Sequence, residues 1–391
     1  MLKEVKMKYH GKLLSAGIAV CLLAGSLTGC GTSAKDNEIA TSADIPLSSE
    51  YSSETEQTET KELESTEEAA SDVVAAESSV AADETENETD APAVSIDFPK
   101  IEGYDAEHYP YIDGSTANHP LLARIYQELC GVDRETAENM VTFNLGSTGS
   151  IWWQMLENYE LPYDDIPALY IVYEPPEDVK QEYEDSFEHY EIDPLGRDGL
   201  VFMVNTDNPV ESLTVEQLYG IYTGQITNWK DVGGNDEEIK PFQRNEDSGS
   251  QTLFMKLLMK GEQPMDPPTE LRVGSMDGLI DSVASFDGSG GAIGYSVYYY
   301  ANLMHANPSL KLIAVEGVEP TNESIESAEY PLTNDFYVTI RADEPEDSPV
   351  RALRDALLSP AGKQLLESEN YVWARQGLPA QTHGTENPFK K

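Results

Sequence analysis

Basic residues are scarce in this chain of 391 residues, which contains 25 Lys and Arg against 71 Asp and Glu. The formal net charge of −46 argues against a nucleic-acid-binding protein, because neutralising phosphates requires clustered Lys and Arg. The same scarcity argues against docking on an anionic membrane through a basic patch. We therefore expect no nucleic-acid partner.

Cysteines and histidines are also few. Three Cys exclude a disulfide framework and a Cys-rich zinc site. The six His are scattered along the chain, and no two have the HxxxH spacing of a helical metal site. We therefore expect neither a metal nor a cofactor.

Apolar runs are short. No run reaches the roughly 18 residues of a membrane-spanning helix, and the run at 13–26 follows four lysines and ends in Leu-Thr-Gly-Cys at 27–30. This order is typical of a bacterial lipoprotein signal peptide, the alternative being a chance match. We predict a signal peptide over 1–29 and lipidation of Cys30. The lipid would anchor the protein at the outer face of the cell membrane of a Gram-positive bacterium.

Residues 31–95 contain almost nothing that could form a core. They hold 18 acidic residues against two lysines, and Tyr51 is the only aromatic residue. A segment of low hydrophobicity and high charge cannot bury enough surface to fold, and self-repulsion extends it. We predict that residues 30–95 are a disordered acidic tether that starts at the lipidated cysteine.

From residue 96 onward, apolar runs alternate with helical patterns. The predicted strands are 140–144, 168–173, 199–205, 239–243, 292–295, 310–315 and 336–340, and the predicted helices include 120–129, 249–260 and 349–358. A capping box is expected at 214–217. This alternation predicts βα units in largely parallel sheets. The length predicts two α/β lobes.

Three short segments each follow a strand and open a helix. They read DGST at 113–116, GSTGS at 146–150 and RNEDSGS at 244–250. A helix N-terminus offers unpaired N–H groups and a partial positive charge, and hydroxyl groups add further donors. The alternative is that each Ser or Thr only caps its own helix. The three segments together predict an anion-binding site, in which Arg244 supplies a planar bidentate contact and Glu246 could hold the guanidinium.

Further stretches of the sequence carry a family likeness. They read DGSTANHPLL at 113–122, NPVESLTVEQLYGIYTGQITNWKDVGG at 208–234, RNEDSGS at 244–250, GAIGYSVYYY at 291–300 and YPLTNDFYVTI at 330–340. The chain in this part resembles the phosphate-binding proteins of ABC importers, over most of residues 111–376. The acidic segment at 31–95 lies outside the resemblance.

The resemblance implies a type II periplasmic-binding-protein fold, in which two α/β lobes hold the ligand in the cleft between them. Lobe I is expected at 96–199 plus 331–391, and lobe II at 200–330. The resemblance also implies capture of inorganic phosphate outside the cytoplasm and delivery to the permease and ATPase subunits of an ABC importer. We expect a monomer.

The resemblance further implies which residues bind phosphate. The expected set is Thr116, Ala117, Ser147, Glu174, Arg244, Ser248, Gly249 and Ser250. Thr148 is the alternative to Ser147. Glu174 would accept the proton of hydrogen phosphate, although many members have Asp here, and Asp113 is the next candidate. Ser250 stands where the family has Thr and keeps the hydroxyl group.

Other function classes remain open at this point. A hydrolase or phosphatase is disfavoured, because the sequence has no G-x-S-x-G elbow, no Walker A motif and no His-rich metal cluster. Another oxyanion, such as sulfate, molybdate or tungstate, would fit the same donors. A carboxylate acceptor in the site would favour phosphate, because it repels a fully ionised dianion. A sensory or adhesive lipoprotein without an importer is the third alternative.

Overall fold

The computed structural model describes residues 96–141, 146–161, 166–286, 290–374 and 388–389. The predicted signal peptide, Cys30 and the acidic tether lie outside the described residues. None of the helices in the described ranges has the length and apolar content needed to cross a membrane.

The described strands vary from two to sixteen residues. In chain order they are β1 (Ile112–Gly114), β2 (Leu169–Tyr173), β3 (Tyr190–Asn205), β4 (Ser212–Leu213), β5 (Lys240–Pro241), β6 (Gln243–Arg244), β7 (Arg272–Val273), β8 (Ala292–Val297), β9 (Leu310–Leu312), β10 (Ala314–Val315), β11 (Thr333–Arg341) and β12 (Val372–Trp373).

The described helices are short to medium in length. The α-helices are α1 (His119–Cys130), α2 (Arg134–Val141), α3 (Thr148–Glu157), α4 (Glu177–Glu182), α5 (Val215–Tyr222), α6 (Gly249–Leu253), α7 (Met276–Ala284), α8 (Asn322–Glu326), α9 (Pro349–Leu357) and α10 (Pro360–Ser368). Single 3₁₀ turns lie at Thr116–Asn118, Ser186–His189, Trp229–Val232 and Thr269–Leu271, and π-helical turns at Phe254–Leu258 and Tyr300–Met304.

Strand β3 connects two sets of partners. Up to Gly199 it lies antiparallel to β11, and from Leu200 onward it lies antiparallel to β8 and β9. The order of the sheet is β1-β2-β11-β3-β8-β5. The half of β3 from Leu200 to Val204 is buried on both faces, as its continuous apolar sequence predicts. The lobe boundaries themselves stay a prediction.

The expectation of largely parallel sheets is wrong for the centre of the main sheet. The pairs β1–β2 and β5–β8 at its edges are parallel, but β11 runs antiparallel to both β2 and β3, and β3 runs antiparallel to β8. The two long strands β3 and β11 are neighbours that run in opposite directions, so the centre of the sheet is antiparallel.

The first half of β3 was not predicted from the sequence, because several of its residues disfavour a strand. Pro194, Gly196 and Asp198 interrupt the apolar pattern. The structure accommodates them at an irregularity, where Phe336 lies opposite Gly196 and Tyr337 lies opposite Pro194. A bulge of this kind is where a strand tolerates proline.

Most predicted helices are confirmed. Helix α1 is followed by Gly131, which has a left-handed φ of 63°, and Thr214 and Gln217 form the expected capping box. The strand predicted at 140–144 is wrong at its start, because Met140 and Val141 complete helix α2. Residues 142–144 lie outside the described residues. The helix predicted at 249–260 is α6 continued by a π-helical turn.

Candidate functional site

A cavity of about 220 Å³ lies at the carboxyl ends of β1, β2, β6, β7 and β8. Ligands of open α/β sheets bind at such ends. The lining residues are Ser115, Thr116, Ala117, Gly146, Ser147, Thr148, Tyr173, Arg244, Ser248, Gly249, Ser250, Gly274, Ser275, Met276, Asp277, Val297 and Tyr300. A cavity of this size has room for a tetrahedral oxyanion.

The structure brings seven of the eight predicted site residues to this cavity, and the exception is Glu174. These seven come from three stretches of chain that lie up to about 130 residues apart. Their role in binding phosphate stays a prediction.

Arg244 is the cation that lines the cavity. It is 7% exposed, its Nε donates to Val273 O at 3.1 Å, and its Nη2 donates to Gly274 O at 3.2 Å. Its Nη1 is buried without a hydrogen-bond partner among the described residues. Burial lowers the pKa of Arg244, but an arginine stays protonated in proteins. Arg244 forms no ion pair with a described residue, although Asp277 is near enough to interact with its charge electrostatically. The guanidinium is therefore suited to bind an anion.

Glu246 does not hold this guanidinium, contrary to the sequence-based suggestion. The Glu246 side chain is exposed, and the carbonyl groups of Val273 and Gly274 hold Arg244 instead. The fork of the guanidinium fits two neighbouring carbonyl oxygens and leaves the third nitrogen free.

Helix N-termini supply the remaining donors. Ser115, Ser147 and Ser248 are the N-cap residues of the 3₁₀ turn Thr116–Asn118, of α3 and of α6. The first N–H groups of a helix have no partner within the helix and carry a partial positive charge. Three such ends beside one arginine form a site for an anion.

The hydroxyl groups at these ends contact one another. Ser115 Oγ lies 2.9 Å from Thr148 Oγ1, and Ser248 Oγ lies 3.0 Å from Ser250 Oγ. Ser147 Oγ accepts a hydrogen bond from Ser150 N at 3.2 Å and therefore caps α3. Ser147 and Thr148 both line the cavity, so the choice between them stays open. Hydroxyl groups can rotate to donate to an incoming oxyanion.

Two of the lining segments touch each other through glycines. Gly149 N donates to Asp247 O at 3.1 Å, which joins the start of α3 to the loop before α6. A Cβ on Gly149 would lie 3.2 Å from the Asp247 backbone, and a Cβ on Gly249 would lie 2.5 Å from Thr148 Oγ1. Only glycine at these positions lets the two segments approach this closely.

Glu174 is placed apart from the cavity, which speaks against the predicted proton-accepting role. Its carboxylate is almost fully buried and forms ion pairs with Lys180, at 2.5 Å, and with Lys256. Lys256 also donates to Asn334 Oδ1 at 2.7 Å. Burial alone would raise the pKa of Glu174, but the hydrogen bonds from the two lysines outweigh it and lower the pKa. The carboxylate is thus already neutralised by protein groups.

Asp113, the next candidate, also lies away from the cavity lining. It is 9% exposed and sits in β1 opposite Tyr170. Its Oδ1 accepts a hydrogen bond from Gly114 N at 2.7 Å. Burial raises the pKa of Asp113 to about 6.

Sequence analysis missed one side of the cavity, which is formed by residues 274–277 and Tyr300. Ser275 caps α7 by accepting from Gly278 N at 3.2 Å, and Asp277 lies in the first turn of that helix. The signal was present, because Gly274-Ser275 repeats the glycine and hydroxyl pattern of the three predicted segments before a helix.

One known family model matches part of the chain. Residues 180–366 match the model of a PBP (periplasmic-binding-protein) superfamily domain. This match starts after the first two predicted anion segments and includes the Arg244 segment.

Two curated relatives show which proteins of known role the chain is similar to. The phosphate-binding protein PstS of Bacillus subtilis is 29% identical over 134 residues, which are 34% of this chain and 41% of the relative. The phosphate-binding protein PstS of Borreliella burgdorferi is 26% identical over 180 residues, which are 45% of this chain and 63% of the relative. The chain thus spans about half the length of the curated relatives it matches.

Solved structures agree on the fold. A putative phosphate ABC transporter substrate-binding protein from Clostridium perfringens, solved with bound phosphate, is 22% identical with a TM-score of 0.51. The match covers 68% of this chain and 98% of that protein. At this identity the likeness concerns the fold alone.

Residues 180–366 are thus similar to a periplasmic-binding-protein superfamily domain. The fold is the two-lobed α/β fold that the sequence predicted. The curated relatives that the chain matches are bacterial phosphate-binding proteins, which confirms the resemblance seen in the sequence.

Proposed function

We propose that this chain is an extracytoplasmic solute-binding lipoprotein that captures inorganic phosphate and delivers it to the permease and ATPase subunits of an ABC importer. The observation that carries the proposal is the buried Arg244, whose guanidinium forms no ion pair with a described residue and lines a cavity beside several helix N-termini. The names of the curated relatives support phosphate as the ligand.

The chemistry of the donors favours a small oxyanion. N–H groups at helix ends, hydroxyl groups and a guanidinium all donate hydrogen bonds, and a tetrahedral oxyanion offers acceptor oxygens in every direction. These groups lie on separate segments, so one ligand can contact all of them only from within the cavity.

The net charge of −46 opposes anion capture at long range but does not prevent it. At physiological salt the screening length is about 8 Å, so distant carboxylates contribute little inside the cavity. The donors that contact the ligand are partly buried and act at short range, where screening is weak.

A binding role is proposed rather than an enzymatic one. The serines at the cavity contact other hydroxyl groups and backbone groups, and no histidine is among the lining residues. Without a base, a serine hydroxyl is a weak nucleophile. Sulfate or molybdate binding, and a sensory role without an importer, are the competing functions.

Isothermal titration calorimetry with the purified full chain tests the proposal. We expect one phosphate per chain, with unchanged affinity in the presence of EDTA, because the donors need no metal. Sulfate and molybdate, titrated in parallel, should bind more weakly. The absence of phosphate binding at millimolar concentration would contradict the proposal.

The proposed anchor is the lipid on Cys30, and the protein is proposed to act as a monomer. Cys30→Ser should release the protein from the membrane fraction and leave phosphate affinity unchanged, because acylation requires the thiol. Fractionation of cells that express each form measures this. A variant that stays with the membrane would reveal a second anchor.

A further inference from the structure

Tyr295 contacts two segments that line the cavity, although it does not line the cavity itself. It belongs to β8 and is 1% exposed. Two residues further along the same strand, Val297 does line the cavity. A buried Tyr hydroxyl group usually has a hydrogen-bond partner, and the partners of this one lie at the proposed binding site.

The hydroxyl group of Tyr295 bridges the arginine of the cavity and a helix that begins there. Arg244 N donates to Tyr295 Oη at 3.1 Å, and Tyr295 Oη donates to Gln251 Oε1 in α6. Gln251 directly follows Ser250, which lines the cavity. One phenol therefore uses both its acceptor and its donor to join the backbone of Arg244 to the first residues of α6.

Packing fixes the ring that carries this hydroxyl group. The Tyr295 ring stacks on Phe254, with the ring centroids 4.4 Å apart and the planes 5° from parallel. Phe202 lies opposite Tyr295 on β3, with its ring centroid 6.1 Å away. Strand β8 itself is paired on both sides, with β3 and with β5. A side chain packed in this way has little freedom, so the sheet determines where its hydroxyl group lies.

Arg244 is held at two separate places. Its guanidinium donates to the carbonyl groups of Val273 and Gly274, and its backbone N–H donates to Tyr295. A shift of the backbone would move the guanidinium relative to the N–H groups at the start of α6. An anion that contacts both sets of donors binds most tightly when their separation is already set before it arrives.

We propose that Tyr295 is a positioning residue for anion binding, whose hydroxyl group holds Arg244 at a fixed distance from the N-terminus of α6. The assignment rests on the proposed function, since it concerns the same cavity. Without this hydroxyl group, the N–H of Arg244 and the amide of Gln251 are no longer joined through β8. The ligand must then order the two segments itself, which lowers its affinity.

Tyr222 provides a matched control in the same aromatic cluster. Its ring centroid lies 5.6 Å from that of Tyr295, and it is fully buried. Its hydroxyl group has no hydrogen-bond partner among the described residues. Tyr222→Phe and Tyr295→Phe thus remove the same atom from neighbouring buried rings, but only Tyr295→Phe breaks a contact with Arg244. The two variants separate the effect of this hydrogen bond from the effect of changing the cluster.

Calorimetric titration of the full chain with inorganic phosphate tests the assignment. We expect Tyr295→Phe to lower the affinity about tenfold and Tyr222→Phe to leave it within about twofold of wild type. Thermal unfolding of both variants checks that the fold is kept. An unchanged affinity in Tyr295→Phe, or equal losses of affinity in the two variants, would overturn the assignment.

A double-mutant cycle distinguishes the positioning of Arg244 from a general structural role. In the Arg244→Ala background, Tyr295→Phe should lower phosphate affinity by no more than about twofold, because no guanidinium remains to be positioned. A structural role would give the same loss in both backgrounds, and that result would overturn the assignment while leaving phosphate binding intact. A wild-type chain that binds no phosphate would overturn the proposed function and this assignment together.

Discussion

Two buried arginines differ in what neutralises their charge. Arg354 is fully buried, and its guanidinium forms ion pairs with Glu191, Asp193 and Asp355. Arg244 is almost as buried but contacts two backbone carbonyl groups. Each leaves one nitrogen without a partner in the described part of the chain, so an orphan nitrogen does not mark a binding site. Arg244 differs in forming no direct ion pair with a described residue. Asp277 interacts with it only through space, so the guanidinium can still bind an anion.

The buried acidic residues Glu174 and Asp113 also differ in whether a basic residue neutralises their charge. Glu174 has two lysine partners, and Asp113 has backbone hydrogen bonding but no ion pair with a described residue. The four groups thus form a comparison of buried charges with and without a counter-charge, and each can be tested by removing one charge.

Arg354→Met should have the largest effect on stability. It removes the ion pairs of Arg354 with the half-buried Glu191 and the buried Asp193, and breaking a buried network of this kind costs about 3–5 kcal/mol. Urea unfolding measures the loss. The control is Arg272→Met, whose exposed pair with Asp266 should contribute no more than about 1 kcal/mol. Equal losses in the two variants would contradict the assigned structural role.

Asp113→Asn should remove a pH dependence of stability. Burial raises the pKa of Asp113 to about 6, above its unfolded value of about 3.9. Between these values the folded chain keeps a proton that the unfolded chain has lost, so its unfolding free energy falls as pH rises. From pH ~4 to ~6 the unfolding free energy of the wild type should fall by about 3 kcal/mol relative to that of the variant. Above pH ~6 the difference should stay constant. A difference independent of pH would exclude this.

Arg244→Ala should affect the ligand more than the fold. Loss of a charge-assisted contact removes about 1.5–3 kcal/mol, which is roughly ten- to a hundredfold in phosphate affinity. Calorimetry should give Arg244→Ala a lower phosphate affinity than Ser248→Ala, since Ser248 contributes one hydroxyl group that also bonds to Ser250. Arg244→Lys keeps the charge but loses the forked contact. If Ser248→Ala were the weaker binder, charge would not dominate the site.

Lys256→Met should have the smallest effect. It removes one of two ion pairs of Glu174 and leaves Lys180 in place, so we expect a loss of about 1 kcal/mol in stability. Phosphate affinity should fall at most a few-fold, because the pair links β2 to the segment after α6. Lys230→Met, which breaks an exposed pair with Asp236, is the control. A loss as large as that of Arg244→Ala would show that Glu174 acts on the ligand after all.

The sequence predicted which hydroxyl groups and which arginine meet at one cavity, but not the ion pairs of Glu174. Ser147, Ser248 and Arg244 lie in short segments where hydroxyl residues and glycine precede a helix. Such local patterns can be recognised in a single sequence. The state of Glu174 depends on Lys256, which is 82 residues away. A contact between residues so far apart in the chain leaves no local pattern. The sequence therefore contains no sign that Lys256 pairs with the Glu174 carboxylate.

The fold was predictable where apolar periodicity is strong. Strand β2 and helix α1 lie within about one residue of their predicted bounds. The first half of β3 was missed because pairing with β11 and the bulge near Pro194 override weak local preference. The antiparallel centre of the sheet follows from chain direction, which periodicity does not contain.

The hydrogen bond from Gly149 to Asp247 has a consequence for the lifetime of a bound ligand. Separating the two lining segments that it joins must break this bond, whose net worth is about 0.5–1.5 kcal/mol. That energy corresponds to a factor of roughly two to ten in rate, so this contact slows release only modestly. The dissociation rate of a ligand is then set mainly by its own bonds to Arg244 and the helix ends, and residence time should follow affinity across the variants of this site.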